Sequence, residues 1–301
     1  MRIAAKTFVI TTLVLAGCGG GGCKAGPDSN GHGPDSHSPD TAGNVTTIKA
    51  IRMNQPTNET MVSLQNVVVT AHVSSKKYGH VWVQDAGGGQ YSGIQLFCNY
   101  GGTSPNCSMT QADIDGLTIG AIVNVTGSFD SFLLGTAPAG AQANLELDAP
   151  MITATGQMGT ATTVDVAPTV VAKDQLAMPA ALAYAGSYIH VTGTSFPVSS
   201  IKATEFTTTC TDMSMPAQTG STYDGFEATG GTSALAIGLT FYDNVTYCLP
   251  CTGVAMPYTC ANPVTTQTFT SVSGIVEPEY NSNGQVYLQI SPTQDSDLTH
   301  N

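Results

Sequence analysis

Aliphatic residues in this chain recur at every second position. From Val62 to Ser74 the run VSLQNVVVTAHVS places Val67, Val69, Ala71 and Val73 on one face, which is the period of a half-buried strand. Tyr78 to Cys98, YGHVWVQDAGGGQYSGIQLFC, repeats the pattern twice. Val81 and Val83 alternate with His80, Trp82 and Gln84, and Ile94 and Leu96 alternate with Gln95 and Phe97. The Asp85-Ala-Gly-Gly-Gly stretch between them predicts a tight turn, so the segment reads as a hairpin. Ile122 to Phe129 and Leu145 to Thr153 predict two more strands, with Pro150 marking an edge or bulge. Ala112 to Ile119 reads as a short helical or turn-like piece whose Leu117 and Ile119 can cap a barrel end. Thr47 to Arg52 is too short to assign.

Five strands with a helical piece between the third and fourth is the pattern of an OB-fold. The order then repeats. Beyond a Gly/Thr-rich joint near 154–163 and a mostly irregular run, strands are predicted at Tyr188–Ser195, Phe226–Ala228, Leu235–Phe241, Phe269–Val276 and Val286–Ile290. Ile122-Val-Asn-Val-Thr-Gly127 aligns with Phe269-Thr-Ser-Val-Ser-Gly274, and both read as a strand ending on Gly before a loop. The expectation is an all-β chain with two tandem OB-like five-stranded barrels, at residues 45–155 and 156–298.

The N-terminus sets the address. Arg2 and Lys6 precede an apolar stretch from Thr7 to Leu15, and Leu15-Ala16-Gly17-Cys18 closes it. This resembles the lipobox of bacterial lipoproteins, which implies cleavage after residue 17 and a lipid on Cys18. The apolar run falls short of the ~20 residues that a spanning helix needs. Residues 18–44 are Gly-rich and then Pro/Asp/Ser-rich, with Gly26-Pro-Asp-Ser recurring as Gly33-Pro-Asp-Ser. They read as a disordered tether. The expected location is the bacterial cell envelope, lipid-anchored, at the outer membrane or cell surface.

Cysteine usage agrees with export. Cys98 and Cys107 stand together in the first half and read as a pair, while Cys210, Cys248, Cys251 and Cys260 allow three connectivities in the second. A zinc site at Cys248-x-x-Cys251 is the alternative, and Cys23 is left over. Nine Lys and Arg stand against 21 Asp and Glu, for a net charge of −12. That acidity argues against general binding to phosphate backbones.

The first-half motifs V-W-V-Q-D, G-I-Q-L-F, L-T-I-G and V-N-V-T-G resemble the bacterial exported OB-fold modules found beside secreted nucleases and in surface proteins. Tyr184-Ala-Gly-Ser-Tyr188-Ile-His-Val191 is similar to the segment that opens the next such module. Ser291-Pro-Thr-Gln-Asp295-Ser-Asp297 is similar to how they end. The resemblance implies the fold; the nuclease chemistry of that family sits in a separate domain that is lacking here.

Catalytic motifs are missing: there is no G-x-S-x-G, H-E-x-x-H or P-loop. Asp113 and Asp115 could meet at one cation, but a polar loop is the favoured account of them. No cofactor is expected. In OB-folds ligands lie across strands two and three, between the loops that join strands one to two and four to five. Mapped here, that surface is Trp82, Gln84, Gln95 and Phe97, with Lys76, Lys77 and Tyr78 from the first loop and Phe129 and Phe132 near the second. An aromatic ring among amides suits a sugar or a base. The other account of Trp82 is packing against the second barrel or under the 99–111 loop, and the sequence leaves both open. The expected function is a non-catalytic binding or adhesion module for a carbohydrate or protein ligand. A nucleic-acid binder and, last, a metal-dependent hydrolase are the alternatives.

Overall fold

The structure, a computed structural model, describes residues 45–74, 77–101, 106–133, 141–175, 178–200, 225–238, 267–280 and 286–300. Cys18, Cys23, Lys76, Cys210, Cys248, Cys251 and Cys260 lie outside them. Residues 43–301 form one compact unit.

The chain enters through a short strand β1 (Val45–Thr46) and a helix α1 (Ile48–Asn54) that Thr47 caps, its side chain accepting from the Ala50 amide. This is the segment whose pattern was too short to assign; its apolar positions Ile48 and Ile51 are buried, and burial decides the helix. Strands β2 (Met61–Ser74), β3 (Tyr78–Asp85) and β4 (Gly93–Asn99) then run antiparallel. Helix α2 (Gln111–Asp115) follows with a Thr110–Asp113 capping box. Strand β5 (Ala121–Phe132) returns antiparallel to β2, and β6 (Asn144–Met158) lies between β5 and β4, parallel to β4. The order β2-β3-β4-β6-β5 therefore closes back on β2, as the Greek-key barrel of an OB-fold requires. Val81, Val83, Ile94 and Leu96 all point into its core.

The second half repeats this order. After β7 (Val164–Val166) and α3 (Pro179–Leu182), β8 (Tyr188–Val191) and β9 (Phe196–Ser200) share the place of a first strand. Strands β10 (Gly225–Gly230), β11 (Ser233–Gly238), β12 (Thr268–Tyr280) and β13 (Val286–Ser291) follow. β9 pairs β10, β10 pairs β11, β11 runs parallel to β13, and β12 pairs β13 and returns to β8 and β9. β14 (Leu298–His300) adds to β12. Phe196, Phe226, Phe269 and Ile290 fill the core.

Some details depart from the pattern reading. Val67 and Val69 face the barrel core, but a register shift between Val69 and Ala71 turns Ala71 and Val73 to the outer face beside Trp82, so the four do not share one face. Neither Gly127 nor Gly274 ends a strand, because β5 and β12 both run on past them. Each Gly sits where its strand crosses close to the next. A Cβ on Gly274 would meet the Ser291 carbonyl at 2.5 Å, and one on Gly127 would meet the Leu147 Cβ at 3.0 Å. Opposite Gly127, Ala149 (φ 50°) and Pro150 form a bulge, which bends β6 around the closing barrel.

The two barrels are tightly joined. The guanidinium of Arg52, only 6% exposed, donates to the carbonyls of Gly93, Ala183, Ala185 and Leu182. Burial pushes its pKa down to about 10. Gly93 and Gly186 touch backbone to backbone: a Cβ on Gly93 would lie 2.0 Å from the Gly186 carbonyl. Ser187 accepts from the Gly93 amide at 3.1 Å, and the Tyr91 amide donates to the Ala183 carbonyl at 2.5 Å. The Tyr184-to-Val191 motif is thus the seam. The closing motif buttresses it: Asp297, 1% exposed, accepts from the Tyr188 hydroxyl and from the amides of Thr293 and Gln294.

Two outcomes follow. Replacing Arg52 with Met leaves the carbonyls it serves without a donor, and the unfolding free energy should fall by about 3 kcal/mol or more, read from the denaturant midpoint. The Cys98–Cys107 disulfide, with Cα atoms 5.2 Å apart, closes a loop of sequence separation 9. Its double Ser variant should lose about 2–3 kcal/mol by the same measurement.

Candidate functional site

The side chains that β3 and β4 turn outward form one continuous face. From the register, Trp82 pairs Gln95, which pairs Glu146, which pairs Asp130; the next row is His80, Phe97, Asp148 and Ser128. Aromatic rings and an amide occupy one side of this face and carboxyl groups the other. The second barrel covers part of it.

Trp82 lies at the covered end. It is 3% exposed and packs with Ala71, Val73, Ile275 and Tyr188. Of the two accounts the sequence left open, packing against the second barrel is what the structure shows. An outward position on a single strand does not predict exposure when another sheet seats on it. Gln84, 0% exposed, is also drawn into the seam: it accepts from the Tyr188 amide at 2.7 Å and donates to the Thr162 carbonyl at 2.9 Å. As an open ligand contact it is corrected by these bonds.

The other end stays partly open. Tyr78, His80, Gln95 and Phe97 are half-buried and in contact. Ring centroids are 5.8 Å apart for Tyr78 and Phe97, 5.2 Å for His80 and Phe97, and 6.0 Å for His80 and Trp82. Gln95 Nε2 donates to His80 Nδ1 at 2.7 Å, so that nitrogen accepts and the ring is neutral. Burial holds the His80 pKa at about 4, which keeps the ladder uncharged at neutral pH. Lys77 is exposed, and its carbonyl accepts from the amides of Tyr100 and Gly101. Phe132 is 37% exposed, whereas Phe129 is 1% exposed. Phe129 belongs to the core because its position on β5 faces inward opposite Leu147.

Beyond Gln95 the face turns acidic, a feature the pattern reading missed. One carboxylate oxygen each of Asp130, Glu146 and Asp148 lie within 4.8 Å of one another, the geometry in which a cation could be held. Glu146 is 4% exposed. Burial, then the charges of Asp148 and Asp130, push its pKa up to about 9. It is therefore a neutral carboxylic acid at pH 7, beside carboxylates. Glu146-Leu147-Asp148 alternates with period two, and that was the available signal. Asp113 and Asp115, by contrast, have separate hydrogen-bond partners. Asp113 caps α2, and Asp115 accepts from the Ser74 hydroxyl at 2.5 Å.

At the junction of the barrels lies a cavity of about 170 Å³, with Trp82, Gln95, Arg52, Tyr91, Asn144 and Glu277 among its walls. The corresponding face of the second barrel is occupied differently. Glu227 on β10 pairs with Lys173, from the 3-10 turn Lys173–Gln175.

No family model and no curated protein matches this chain. Among solved structures it overlaps a putative aspartyl-tRNA synthetase from Leishmania major Friedlin at 13% identity, covering 46% of this chain and 25% of that one, with a TM-score of 0.28. It overlaps the aspartyl-tRNA synthetase of Entamoeba histolytica at 12% identity, covering 46% and 26%, with a TM-score of 0.28. The Entamoeba histolytica asparaginyl-tRNA synthetase in complex with asparaginyl-adenylate gives 13%, 38% and 24%, with a TM-score of 0.24. The chain spans about a quarter of the length of these enzymes. The OB assignment rests on the strand order and register.

The acid on β6 has a measurable signature. Its folded pKa of about 9 lies above the ordinary glutamate value of 4.5. The fold therefore holds a proton that the unfolded chain releases, and stability present below pH ~4.5 is lost as pH rises toward 9. Glu146→Gln should flatten that decline, matching the parent near pH ~4.5 and exceeding it near pH ~8.5. Denaturant melts at both values check this, and parallel declines would exclude Glu146 as the source.

Proposed function

We propose that this chain is an exported, lipid-anchored binding module without catalytic activity, and that its ligand is a carbohydrate engaged on the uncovered part of the β3–β4 face. The observation that carries the reading is the half-buried ladder of Tyr78, His80 and Phe97 beside Gln95. Rings next to a carboxamide suit a sugar, whose faces are apolar and whose rim is hydroxyl. The anchor is inferred from Leu15-Ala-Gly-Cys18, with residues 18–44 as the tether between membrane and barrels.

Charge supports a sugar over a nucleic acid. The face continues from Gln95 into Glu146, Asp148 and Asp130, and the chain carries a net charge of −12. The Asp148 and Asp130 carboxylates, flanking the ladder beside the neutral Glu146, repel a phosphate backbone, whose binding depends on Lys and Arg. A protein ligand would need the same ladder as an apolar anchor.

The test is a glycan array probed with the full chain, with an oligonucleotide array alongside. Saturable binding to a glycan class is expected, weakened about tenfold or more by Phe97→Ala, since stacking is worth roughly 1–3 kcal/mol per ring in the nucleic-acid cases measured. Binding to single-stranded oligonucleotides alone, or glycan binding that Phe97→Ala leaves unchanged, would overturn it.

A further inference from the structure

We infer that the cavity between the two barrels is a binding site of its own, and that it takes one neutral, multiply hydroxylated ring of monosaccharide size. The choice of a sugar rests on the reading above; the site itself does not, since apart from Gln95 it uses different residues.

Size comes first. About 170 Å³ is well under the 300–1,000 Å³ of a drug-sized pocket and has room for a single small ring. The hydrogen-bonding capacity of the walls then narrows the chemistry. Both charged groups in the lining are already engaged. Arg52 donates to backbone carbonyls of Gly93, Ala183, Ala185 and Leu182, and the Glu277 carboxylate accepts from Ser291 Oγ. What stands open is neutral. Among the described residues the carboxamide of Asn144 and the hydroxyls of Ser131 and Tyr91 make no hydrogen bond to protein, and all three line the cavity. Amides and hydroxyls that converge on one small space, with the charged groups at the margin committed to other partners, match a ring bearing several hydroxyls. They match a phosphate or a metal ion poorly, because the Arg52 donors are taken up by carbonyls and the Glu277 carboxylate by Ser291.

Position supports this. Trp82 supplies an apolar wall and Gln95 belongs both to the cavity and to the outer ladder, so the two sites are continuous. A chain end could seat its last ring in the cavity while preceding rings lie along His80 and Phe97. Both barrels contribute walls: Ser131 and Asn144 come from β5 and β6, and Val276 and Pro278 from β12. The site exists only while the Arg52 seam holds them together.

Trp82 is the only Trp in the chain, so its fluorescence reports the cavity directly. The full chain is titrated with the methyl glycosides of glucose, galactose and mannose and with N-acetylglucosamine, following Trp82 emission and saturation-transfer NMR. At least one ring should saturate in the millimolar range. Asn144→Ala should weaken it about tenfold. Ala143→Phe, which fills the cavity from its wall, should abolish it with an unchanged thermal midpoint. No response from any of the four rings, or an Ala143→Phe titration that matches the parent, overturns the inference. Phe97→Ala separates the two readings. A ring that still titrates in this variant supports the cavity even if glycan arrays fail, and arrays that succeed while every ring fails remove the cavity and leave the ladder standing.

Discussion

A buried guanidinium holds this molecule to one arrangement. Taking an ion out of water costs several kcal/mol after relaxation, and only good hydrogen bonds offset it. Arg52 finds its acceptors in the Gly93 carbonyl of the first barrel and in Leu182, Ala183 and Ala185, which lead into the second. The guanidinium is planar, with donors in a fixed fork, so acceptors must arrive at fixed angles and a rotated dock would strand the charge. Gly93 and Gly186 enforce the same geometry sterically, because their backbones touch where any side chain would collide. The seam is specific in the way a hydrophobic contact alone would not be.

Consequences for function follow from what the seam covers. An OB barrel ordinarily offers the outer face of its second and third strands to a ligand. Here Tyr188 and Ile275 seat on Trp82, and Gln84 bonds to the Tyr188 amide. The usual platform is therefore divided: its Trp82 end becomes an internal wall, and its Tyr78–Phe97 end keeps some access to solvent. The second barrel supplies part of the wall beside the first barrel's outer face, and its own matching face carries the Lys173–Glu227 pair instead. Two domains that looked independent in the chain form one continuous surface.

How much of this the residues disclosed depends on the range of the interactions involved. The barrel strands were legible because alternation along a strand is local: Val81, Val83, Ile94 and Leu96 needed only their neighbours to be assigned inward. The Cys98–Cys107 bridge was legible for the same reason. Trp82 and Gln84 were correctly placed on the outer face, but which partner meets that face is decided far along the chain, at Tyr188 and Ile275. Arg52 sat in a stretch too short to assign, and nothing near it in sequence signals the carbonyls around residue 183. The acidic cluster joins Asp130 to Glu146 and Asp148 through pairing across β5 and β6. Its members on β6 shared a face by period two, yet only the register joins them to Asp130.

The electrostatics of the face then argue for a ligand that carries no charge. Glu146 is held neutral by burial beside Asp148 and Asp130, His80 is held neutral by desolvation within the ladder, and Arg52 is closed off by carbonyls. Glu146 and His80 thus carry no charge at neutral pH, and the Arg52 guanidinium, though charged, has its donors committed to carbonyls. An anion arriving here would meet Asp148 and Asp130 without a counter-ion, and a cation would first have to displace the Glu146 proton. A neutral ring with hydroxyls meets neither obstacle: it needs only apolar faces to lie on and amides to bond to, which are the groups this junction leaves open.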